Sequence, residues 1–337
     1  MATTHTSATA SEYAKLTRHC GLVDRSERGK LALTGSGAVE FLNGQVTNEL
    51  VGLKTGEGCY AAFLTHKGKM LGDLRILAVG DNPGEEPHEL LLDTERGALQ
   101  ALFDMIRRFK VGYEVELHKR TLECSLLSLI GPSADQIAAK AFAVDPASGS
   151  GPGDLPEHEN GHVLVDSEQT PVRLIRTDMG IDALLDSSVT EAVRSALETA
   201  GAAAVSEAAA EIVRVEHGRP RYGIDLDEST IPQEAGLNER AVSFTKGCYV
   251  GQETVARLYY KGKPNRHLRG LRLSESIEPG AELHLGERSV GHLASSVVSP
   301  VLGPIGLAIV RREAEPGAIV VVGEHGVSAV VSELPFR

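Results

Sequence analysis

Tryptophan is absent from the 337-residue chain, aromatic residues make up 4% of it, and it contains four cysteines. No two of these cysteines form a Cys-x-x-Cys pair, so neither a zinc ribbon nor a disulfide framework is expected. The chain also lacks an apolar run of about 18 residues, the length that a membrane-spanning helix needs. We therefore expect a protein of a reducing compartment, with no membrane contact and no stably bound metal.

Basic residues are outnumbered by acidic ones. The chain has 34 Lys and Arg against 46 Asp and Glu, which gives a formal net charge of −12. Broad binding to phosphate backbones needs a basic surface, so direct nucleic-acid binding is not expected. The first ten residues lack a cationic start followed by an apolar block, as a secretory signal would have. We expect a soluble, cytoplasmic protein and a monomer.

Periodicity along the chain indicates two kinds of structure. Strand-like and helix-like patterns are mixed over the first two thirds, which predicts an α+β organisation. From about residue 268, short alternating runs separated by Gly, Pro or charged turns predict a small antiparallel barrel or sandwich. The polar residues 1–15 predict a flexible N-terminal tail.

The sharpest local feature is the segment KGCYVGQETVAR, residues 246–257. Cys248 lies between Lys246 and Arg257 in sequence, and nearby positive charge favours a reactive thiolate over a thiol. Gly247 and Gly251 allow backbone turns that a side chain would block. The alternative is that Cys248 is a small buried apolar residue, which is the usual role of a free cysteine.

A second candidate is Glu216, at the end of a helix predicted over residues 207–217. Ala208, Ile212 and Val215 form an apolar stripe on this helix, and Glu216 shares that face. A carboxylate in an apolar layer needs a partner, and a flat heterocycle with two adjacent N–H donors would suit it. The alternative is an ion pair with one of the arginines at positions 214, 219 and 221.

The segment KGCYVGQE at 246–253 resembles the signature of the YgfZ family of folate-binding proteins, relatives of a mitochondrial iron–sulfur assembly factor. The wider chain resembles the glycine-cleavage T-protein, an aminomethyltransferase. This likeness extends from about residue 20 and is carried by GKLALTGSGAVEFLNGQVTNEL (29–50), VEHGRPRYGIDLDESTIPQEAGL (215–237), RSVGHLASSVVSPVLGPIGLAIVRRE (288–313) and LPF (334–336).

This resemblance implies a ring of three domains around a central opening, two of them α+β with antiparallel sheets and the third a C-terminal β-barrel. Non-covalently bound tetrahydrofolate would lie in the opening. The implied organisation is a folate-binding domain from residues 16–120 and 218–262, a second α+β domain from 121–217, and a barrel from 263–337.

The resemblance also implies roles for individual residues. Glu216 falls where the T-protein family has its pterin-contacting glutamate. Cys248 would be the working thiol, with Lys246 and Arg257 favouring its thiolate. The remaining predicted site residues either contact the ligand or shape the loop: Asn48, Tyr222, Gln252 and Glu253 as folate-binding residues, and Gly247, Tyr249 and Gly251 as motif residues.

One position departs from the T-protein pattern. The T-protein family has an aspartate close to the folate nitrogens, near the start of a helix, and ungapped counting places Gln100 there. A glutamine cannot exchange a proton as a carboxylic acid does. This departure disfavours aminomethyl transfer and favours the YgfZ-like interpretation.

Three functional hypotheses follow from the sequence. The first is a folate-binding accessory protein for iron–sulfur enzyme maturation or repair, with iron–sulfur assembly factors or client enzymes as partners and only an indirect effect on tRNA modification. The second is a tetrahydrofolate-dependent aminomethyl- or methyltransferase. The third is a non-catalytic docking module in which the cysteine segment, or residues 218–247, contacts a partner protein.

Overall fold

The computed structural model describes residues 7–144, 154–167, 170–324 and 326–336. Its helices are α1 (Ser7–Arg18), α2 (Ala38–Asn43), α3 (Leu99–Phe109), α4 (Ala134–Phe142), α5 (Thr190–Ala200), α6 (Glu207–Glu216), α7 (Asn238–Ala241) and α8 (Gln252–Lys261). Its strands are β1 (Gly21–Asp24), β2 (Gly29–Thr34), β3 (Gly58–Leu64), β4 (Met70–Val79), β5 (Glu89–Thr94), β6 (Glu116–Lys119), β7 (Cys124–Ile130), β8 (His162–Ser167), β9 (Thr170–Thr177), β10 (Gly180–Asp186), β11 (Ala203–Ala204), β12 (Arg266–Leu273), β13 (Glu282–Leu285), β14 (Arg288–His292), β15 (Ser295–Ser299), β16 (Gly303–Arg311), β17 (Ile319–Val322) and β18 (Val327–Ser332).

The first sheet has five antiparallel strands in the order β3-β4-β5-β2-β6. Helices α2 and α3 cover one of its faces, where Phe41, Leu42, Leu102 and Ile106 are fully buried. The opposite face carries Ala62, Leu64 and Met70, which pack with residues 226–255 of the chain. The stretch 218–247, which has little periodicity, is thus held in place by apolar packing on this sheet.

The second sheet has six strands in the order β11-β1-β7-β10-β9-β8. All its pairs are antiparallel except β1 with β11. Helices α4 and α5 pack together on it over a core of alternating strand residues such as Leu127, Leu129 and Ile181. The two α+β units therefore bury separate cores.

The C-terminal unit is a closed barrel of six strands. Strands β12, β18, β17, β13, β14 and β16 follow one another, β16 pairs back onto β12, and β15 adds to β16 outside the ring. Closure removes the free sheet edges that invite aggregation. The predicted fold, two antiparallel α+β units followed by a C-terminal barrel, is confirmed.

The N-terminal region differs from its prediction. Residues from Ser7 onward form α1 instead of a flexible tail, because Tyr13 and Leu16 are buried against α6. Strand β1 pairs with β7, so it belongs to the second sheet, whereas residues 16–120 were assigned to the first unit. A short helix with few apolar residues is stable here through tertiary packing, which local sequence does not reveal.

Helix α6 confirms the helix predicted over residues 207–217. Of the predicted apolar stripe, Ile212 and Val215 are buried but Ala208 is exposed, and Ala209 and Val213 are buried as well. The Ser206 hydroxyl caps the helix by accepting a hydrogen bond from the Ala209 amide, and Gly218 follows it with a φ of 65°. Across the described segments, no helix is long and apolar enough to cross a bilayer.

Candidate functional site at the central cavity

A cavity of about 180 Å³ lies where the first sheet, the second sheet and the segment after α6 meet. We call it the central cavity. Its lining includes Tyr60, Asp73, Arg75 and Asp93 from the first sheet, Asp182 from the second sheet, and Arg221, Tyr222 and Arg240 from the segment after α6. Five arginines and six carboxylates line it, so its walls are unusually rich in charge: Arg25, Arg28, Arg75, Arg221 and Arg240, and Asp73, Asp93, Glu95, Glu159, Asp178 and Asp182.

Strand register creates one wall of the cavity. Tyr60 on β3 lies directly opposite Arg75 on β4, and Arg75 lies opposite Asp93 on β5. Directly opposite residues point to the same face of a sheet, so the three side chains form a row. Asp73 is two residues before Arg75 on β4 and therefore shares this face.

Arg75 joins the two sheets through a buried ion-pair network. Its guanidinium lies 2.8 Å from Asp93 and 2.8 Å from Asp182, which also accepts a hydrogen bond of 2.6 Å from Ser128. Arg28 makes a second pair with Asp93 at 2.8 Å. Burial alone would raise the pKa of Asp93, but Arg28 and Arg75 overcome it and hold that pKa below its usual value.

Asp73 is bound by a tyrosine hydroxyl, whereas Asp93 and Asp182 are bound by arginines. It is 5% exposed, and its Oδ2 accepts a hydrogen bond of 2.6 Å from the Tyr60 hydroxyl. Burial raises the pKa of Asp73 to about 6, an effect that the Tyr60 hydrogen bond and Arg28 offset only in part. The cavity thus contains a carboxyl that changes charge close to neutral pH.

Arginine side chains from the segment after α6 border the cavity. The Arg240 guanidinium lies 5.3 Å from the centre of the Tyr60 ring and is paired with Glu159. Arg221 is paired with Glu207 at 2.6 Å. Tyr222 also lines the cavity, and burial raises its pKa to about 12, so its hydroxyl stays protonated at neutral pH.

Four other clefts among the described residues, of about 540, 360, 640 and 250 Å³, are larger than the central cavity. Volume alone does not choose a functional site, because converging polar groups and a shifted pKa are the stronger indicators. The central cavity combines aromatic rings, cations and Asp73. Within the described ranges, no group of three or more His, Cys, Asp or Glu side chains is arranged to hold a metal ion.

The segment around Cys248 lies in a loop that precedes α8. Burial lowers the pKa of Lys246 to about 8, and its ammonium donates hydrogen bonds to the carbonyl oxygens of Asn43, Val46 and Asn48 at 2.6–2.9 Å. Tyr249 is buried, and the Lys246 ammonium lies 5.3 Å from the centre of its ring. Lys246 therefore anchors the loop to the first domain.

Gly251 fixes the other end of this loop. Its φ of 86° lies in the left-handed region, and a Cβ there would come within 2.7 Å of the Thr65 carbonyl oxygen. The loop therefore packs closely against the turn between β3 and β4. A Cβ on Gly247, in contrast, would meet nothing within 4 Å.

Cys248 is exposed at the surface of this loop. Glu253 and Arg257 are exposed on α8, and the Gln252 side chain donates a hydrogen bond to the Gly247 carbonyl oxygen at 3.4 Å. None of these four residues is among those that line the central cavity. Their predicted roles in catalysis and ligand binding stay predictions.

Two other predicted ligand-binding residues lie outside the cavity lining. The Glu216 carboxylate accepts hydrogen bonds from the hydroxyls of Tyr13 and Ser299, on α1 and β15. Asn48 donates hydrogen bonds to the backbone oxygens of Tyr60 and Arg240, at 2.9 and 3.3 Å. Asn48 thus positions two cavity residues, and Lys246 supports the cavity through its bond to the Asn48 backbone.

Gln100, the position of the departure from the T-protein pattern, is exposed on α3. Its amide donates a hydrogen bond of 2.9 Å to Asp104, and it borders a surface cleft with Phe103 and Lys119. It is not part of the central cavity lining. Tyr222 is therefore the predicted ligand-binding residue that the fold brings to the cavity.

Sequence reasoning missed most of the cavity wall, although one signal was present. Strand β4 reads MLGDLRILAV, and its apolar stretch is interrupted by Asp73 and Arg75 at alternate positions. Polar residues that share one face of an otherwise apolar strand need partners, which points to a buried site. The partners themselves come from β3, β5 and β10.

Residues 2–246 match the family model of the GCVT N-terminal domain, so the chain belongs to this family. The predicted membership of the T-protein superfamily is thereby confirmed.

Relatives with named activities agree with this assignment. A protein of Arabidopsis thaliana that is named as a putative chloroplastic transferase is 29% identical over 94% of this chain and 71% of its own length. The aminomethyltransferase of Corynebacterium aurimucosum is 28% identical over 96% of this chain and 89% of its own. The crystal structure of the glycine cleavage system aminomethyltransferase T from Bartonella henselae matches with a TM-score of 0.84 over 98% of this chain and 89% of that chain; at 24% identity it establishes the fold.

Proposed function

We propose that this chain binds tetrahydrofolate in the central cavity and transfers a one-carbon unit, as an aminomethyl- or methyltransferase does. The observation that carries the proposal is the cavity itself, where the rings of Tyr60 and Tyr222 lie among five arginines. A flat ring system at one end and glutamate carboxylates at the other are the features of a folate that such walls complement. The relatives named as aminomethyltransferases support the reaction class.

An unsatisfied polar atom supports a ligand at this place. The Nε of Arg75 is buried and has no hydrogen-bond partner among the described residues. Buried donors are nearly always paired with an acceptor. An acceptor atom of a bound ligand would provide the partner that the Arg75 Nε lacks. Tyr60, Asp73 and Tyr222 would hold the ring system, and the arginines would hold the glutamate end.

The residues of this chain contribute binding and orientation to the reaction. The Arg75 network joins the two sheets, so the cavity walls keep a fixed separation. Holding two reactants in a fixed geometry can supply most of the rate acceleration of a transfer reaction. Folate supplies the nitrogen atoms that carry the one-carbon unit.

Thermal unfolding with and without tetrahydrofolate tests the binding proposal. Ligand at about 100 times its dissociation constant adds roughly 2.7 kcal/mol to the stability of a binding-competent state. We expect an increase of a few degrees in the unfolding temperature of the wild type. Glu216→Ala serves as the comparison, because Glu216 lies outside the cavity lining. No increase in the wild type would contradict folate binding.

Formation of 5,10-methylene- or 5-methyl-tetrahydrofolate from candidate one-carbon donors tests the reaction. Turnover that stops in a cavity variant such as Tyr222→Ala and persists in Cys248→Ser would support transfer in the central cavity. Binding without turnover of any donor would favour the second candidate function.

That second candidate is the YgfZ-like role, in which the folate-binding protein supports iron–sulfur enzymes and acts on tRNA modification only indirectly. It is favoured by the exposure of Cys248 in the KGCYVGQE segment. An exposed thiol is accessible to an assembly factor or a client enzyme. In cells that lack the protein, Cys248→Ala is expected to restore folate-dependent turnover but not iron–sulfur enzyme activity. Full rescue by this variant would remove the thiol from the mechanism.

A further inference from the structure

Asp73 is distinguished from the other cavity carboxylates by its lack of a cationic partner. Asp93 has two arginine partners, Asp182 has Arg75, and Glu159 has Arg240. Asp73 has no ion pair among the described residues, and its carboxylate accepts a hydrogen bond of 2.6 Å from the Tyr60 hydroxyl. A buried carboxylate without a cation is costly, so packing alone gives no reason to keep it.

The charged groups around Asp73 come from several elements. Glu95, just after β5, disfavours its ionised form, while Arg28, before β2, favours that form. The Tyr60 hydroxyl of β3 donates to it, and Arg240 lies over the Tyr60 ring. The negative charge of Asp73 also contributes to the raised pKa of Tyr222. Because burial outweighs the favourable groups, the pKa of Asp73 is raised to about 6.

We propose that Asp73 accepts hydrogen bonds from the ring N–H groups of the folate in the central cavity, so that the ring binds when this carboxyl is ionised. The inference rests on the proposed function. A carboxylate can accept two parallel hydrogen bonds from adjacent N–H donors, which the aminopyrimidine end of a pterin offers. The incoming donors would supply the stabilisation that direct ion pairs give to Asp93, Asp182 and Glu159.

The alternative carboxyl and amide groups are already engaged elsewhere. Glu216 accepts hydrogen bonds from Tyr13 and Ser299, and Gln100 donates to Asp104 on the surface of α3. Asp93 is paired with Arg28 and Arg75, and Asp182 is bound by Arg75 and the Ser128 hydroxyl. Asp73 therefore takes, in this protein, the place of the ligand-contacting acid.

Calorimetric titration with 5-formyl-tetrahydrofolate, which resists oxidation, tests this inference between about pH 5 and pH 8. Only the ionised fraction of Asp73 is competent to bind, so the dissociation constant should be roughly tenfold higher at pH 5 than at pH 7. Tyr60→Phe removes a hydrogen bond to the ionised form, so the midpoint of this pH dependence should move to higher pH.

Two variants separate Asp73 from general effects of charge. Asp73→Asn should bind at least tenfold more weakly than the wild type at pH 7, with a dissociation constant that no longer depends on pH. Asp104→Asn is the matched control, since Asp104 is an exposed acid outside the cavity, and it should keep the wild-type profile.

These binding measurements separate the role of Asp73 from folate binding itself. Wild-type binding that is tight at pH 7 and unchanged at pH 5, or wild-type affinity in Asp73→Asn, would overturn the role of Asp73 and leave folate binding standing. A wild type that binds no folate at any pH would overturn both. If Asp73→Asn does not fold, the pH dependence of the wild-type dissociation constant is compared with that of Tyr60→Phe. A pH-independent wild type, or an unmoved midpoint in Tyr60→Phe, would then overturn the role of Asp73.

Discussion

The central cavity and the loop 246–251 differ in what binds their charged side chains: other side chains in the cavity, and backbone carbonyl oxygens in the loop. In the cavity, Arg75 alone joins Asp93 of the first sheet to Asp182 of the second, and both ion pairs are buried. In the loop, Lys246 is buried on backbone carbonyls while Cys248 is left exposed. The cavity walls are held by buried ion pairs between side chains, whereas the loop is held through backbone carbonyls and leaves one thiol exposed. The cavity is therefore the site for which we propose a small molecule, and the loop is the site for which we propose a macromolecular partner.

The largest expected effect comes from breaking the cavity network. Asp93→Ala leaves Arg28 and Arg75 without a shared carboxylate, and removing one member of a buried ion pair costs about 3–5 kcal/mol. Urea denaturation measures the loss in the free energy of unfolding. Glu123→Ala, which removes an exposed pair with Arg120, is the control and should cost less than about 1 kcal/mol. Equal losses in the two variants would mean that the buried network contributes no more to stability than an exposed ion pair does.

The next effect concerns the backbone of the loop. Gly251→Ala places a Cβ at a φ of 86° and 2.7 Å from the Thr65 carbonyl oxygen, so we expect a loss of about 2 kcal/mol or more. Gly247→Ala meets nothing within 4 Å and should be nearly neutral. Thermal unfolding of both variants checks this difference. A neutral Gly251→Ala would show that the loop does not depend on its contact with the β3–β4 turn.

A third prediction concerns the stability cost of Asp73. Because its folded pKa of about 6 lies above the value of an unfolded aspartate, the folded state binds more protons between about pH 4 and pH 6. This contribution therefore favours folding below pH 4 and is lost as the pH rises through 6. Asp73→Asn should be more stable than the wild type at pH 7, by about 2–3 kcal/mol, and equal to it near pH 4. Denaturation at both pH values measures the difference, and a less stable variant at pH 7 would contradict this electrostatic account.

The smallest perturbation is modification of the exposed thiol. Iodoacetamide should label Cys248 in the native protein and leave Cys20 and Cys59 unmodified, since burial raises the pKa of each of these two to about 12. Mass spectrometry of peptides from the labelled protein identifies the modified site. Folate binding should be unchanged by the label. Rapid labelling of Cys20 in the native state would contradict the described packing.

Local sequence predicted the elements whose signals are local. The helical spacing of apolar residues over 207–217 predicted α6, and the short alternating runs after residue 268 predicted a barrel or sandwich. The cavity could not be predicted in this way, because Tyr60, Arg75 and Asp182 meet only through strand register and the contact between two sheets. Glu216 illustrates the same limit, since its partners Tyr13 and Ser299 are far from it in sequence.

The most direct test of the central claim is a titration of 5-formyl-tetrahydrofolate into the wild type, Tyr222→Ala and Cys248→Ser at neutral pH. Tyr222 lines the cavity and Cys248 does not, so the two variants separate the regions compared above. The account predicts that Cys248→Ser keeps the wild-type dissociation constant and that Tyr222→Ala, with its unfolding temperature retained, binds at least tenfold more weakly. Wild-type affinity in Tyr222→Ala together with lost binding in Cys248→Ser would contradict it.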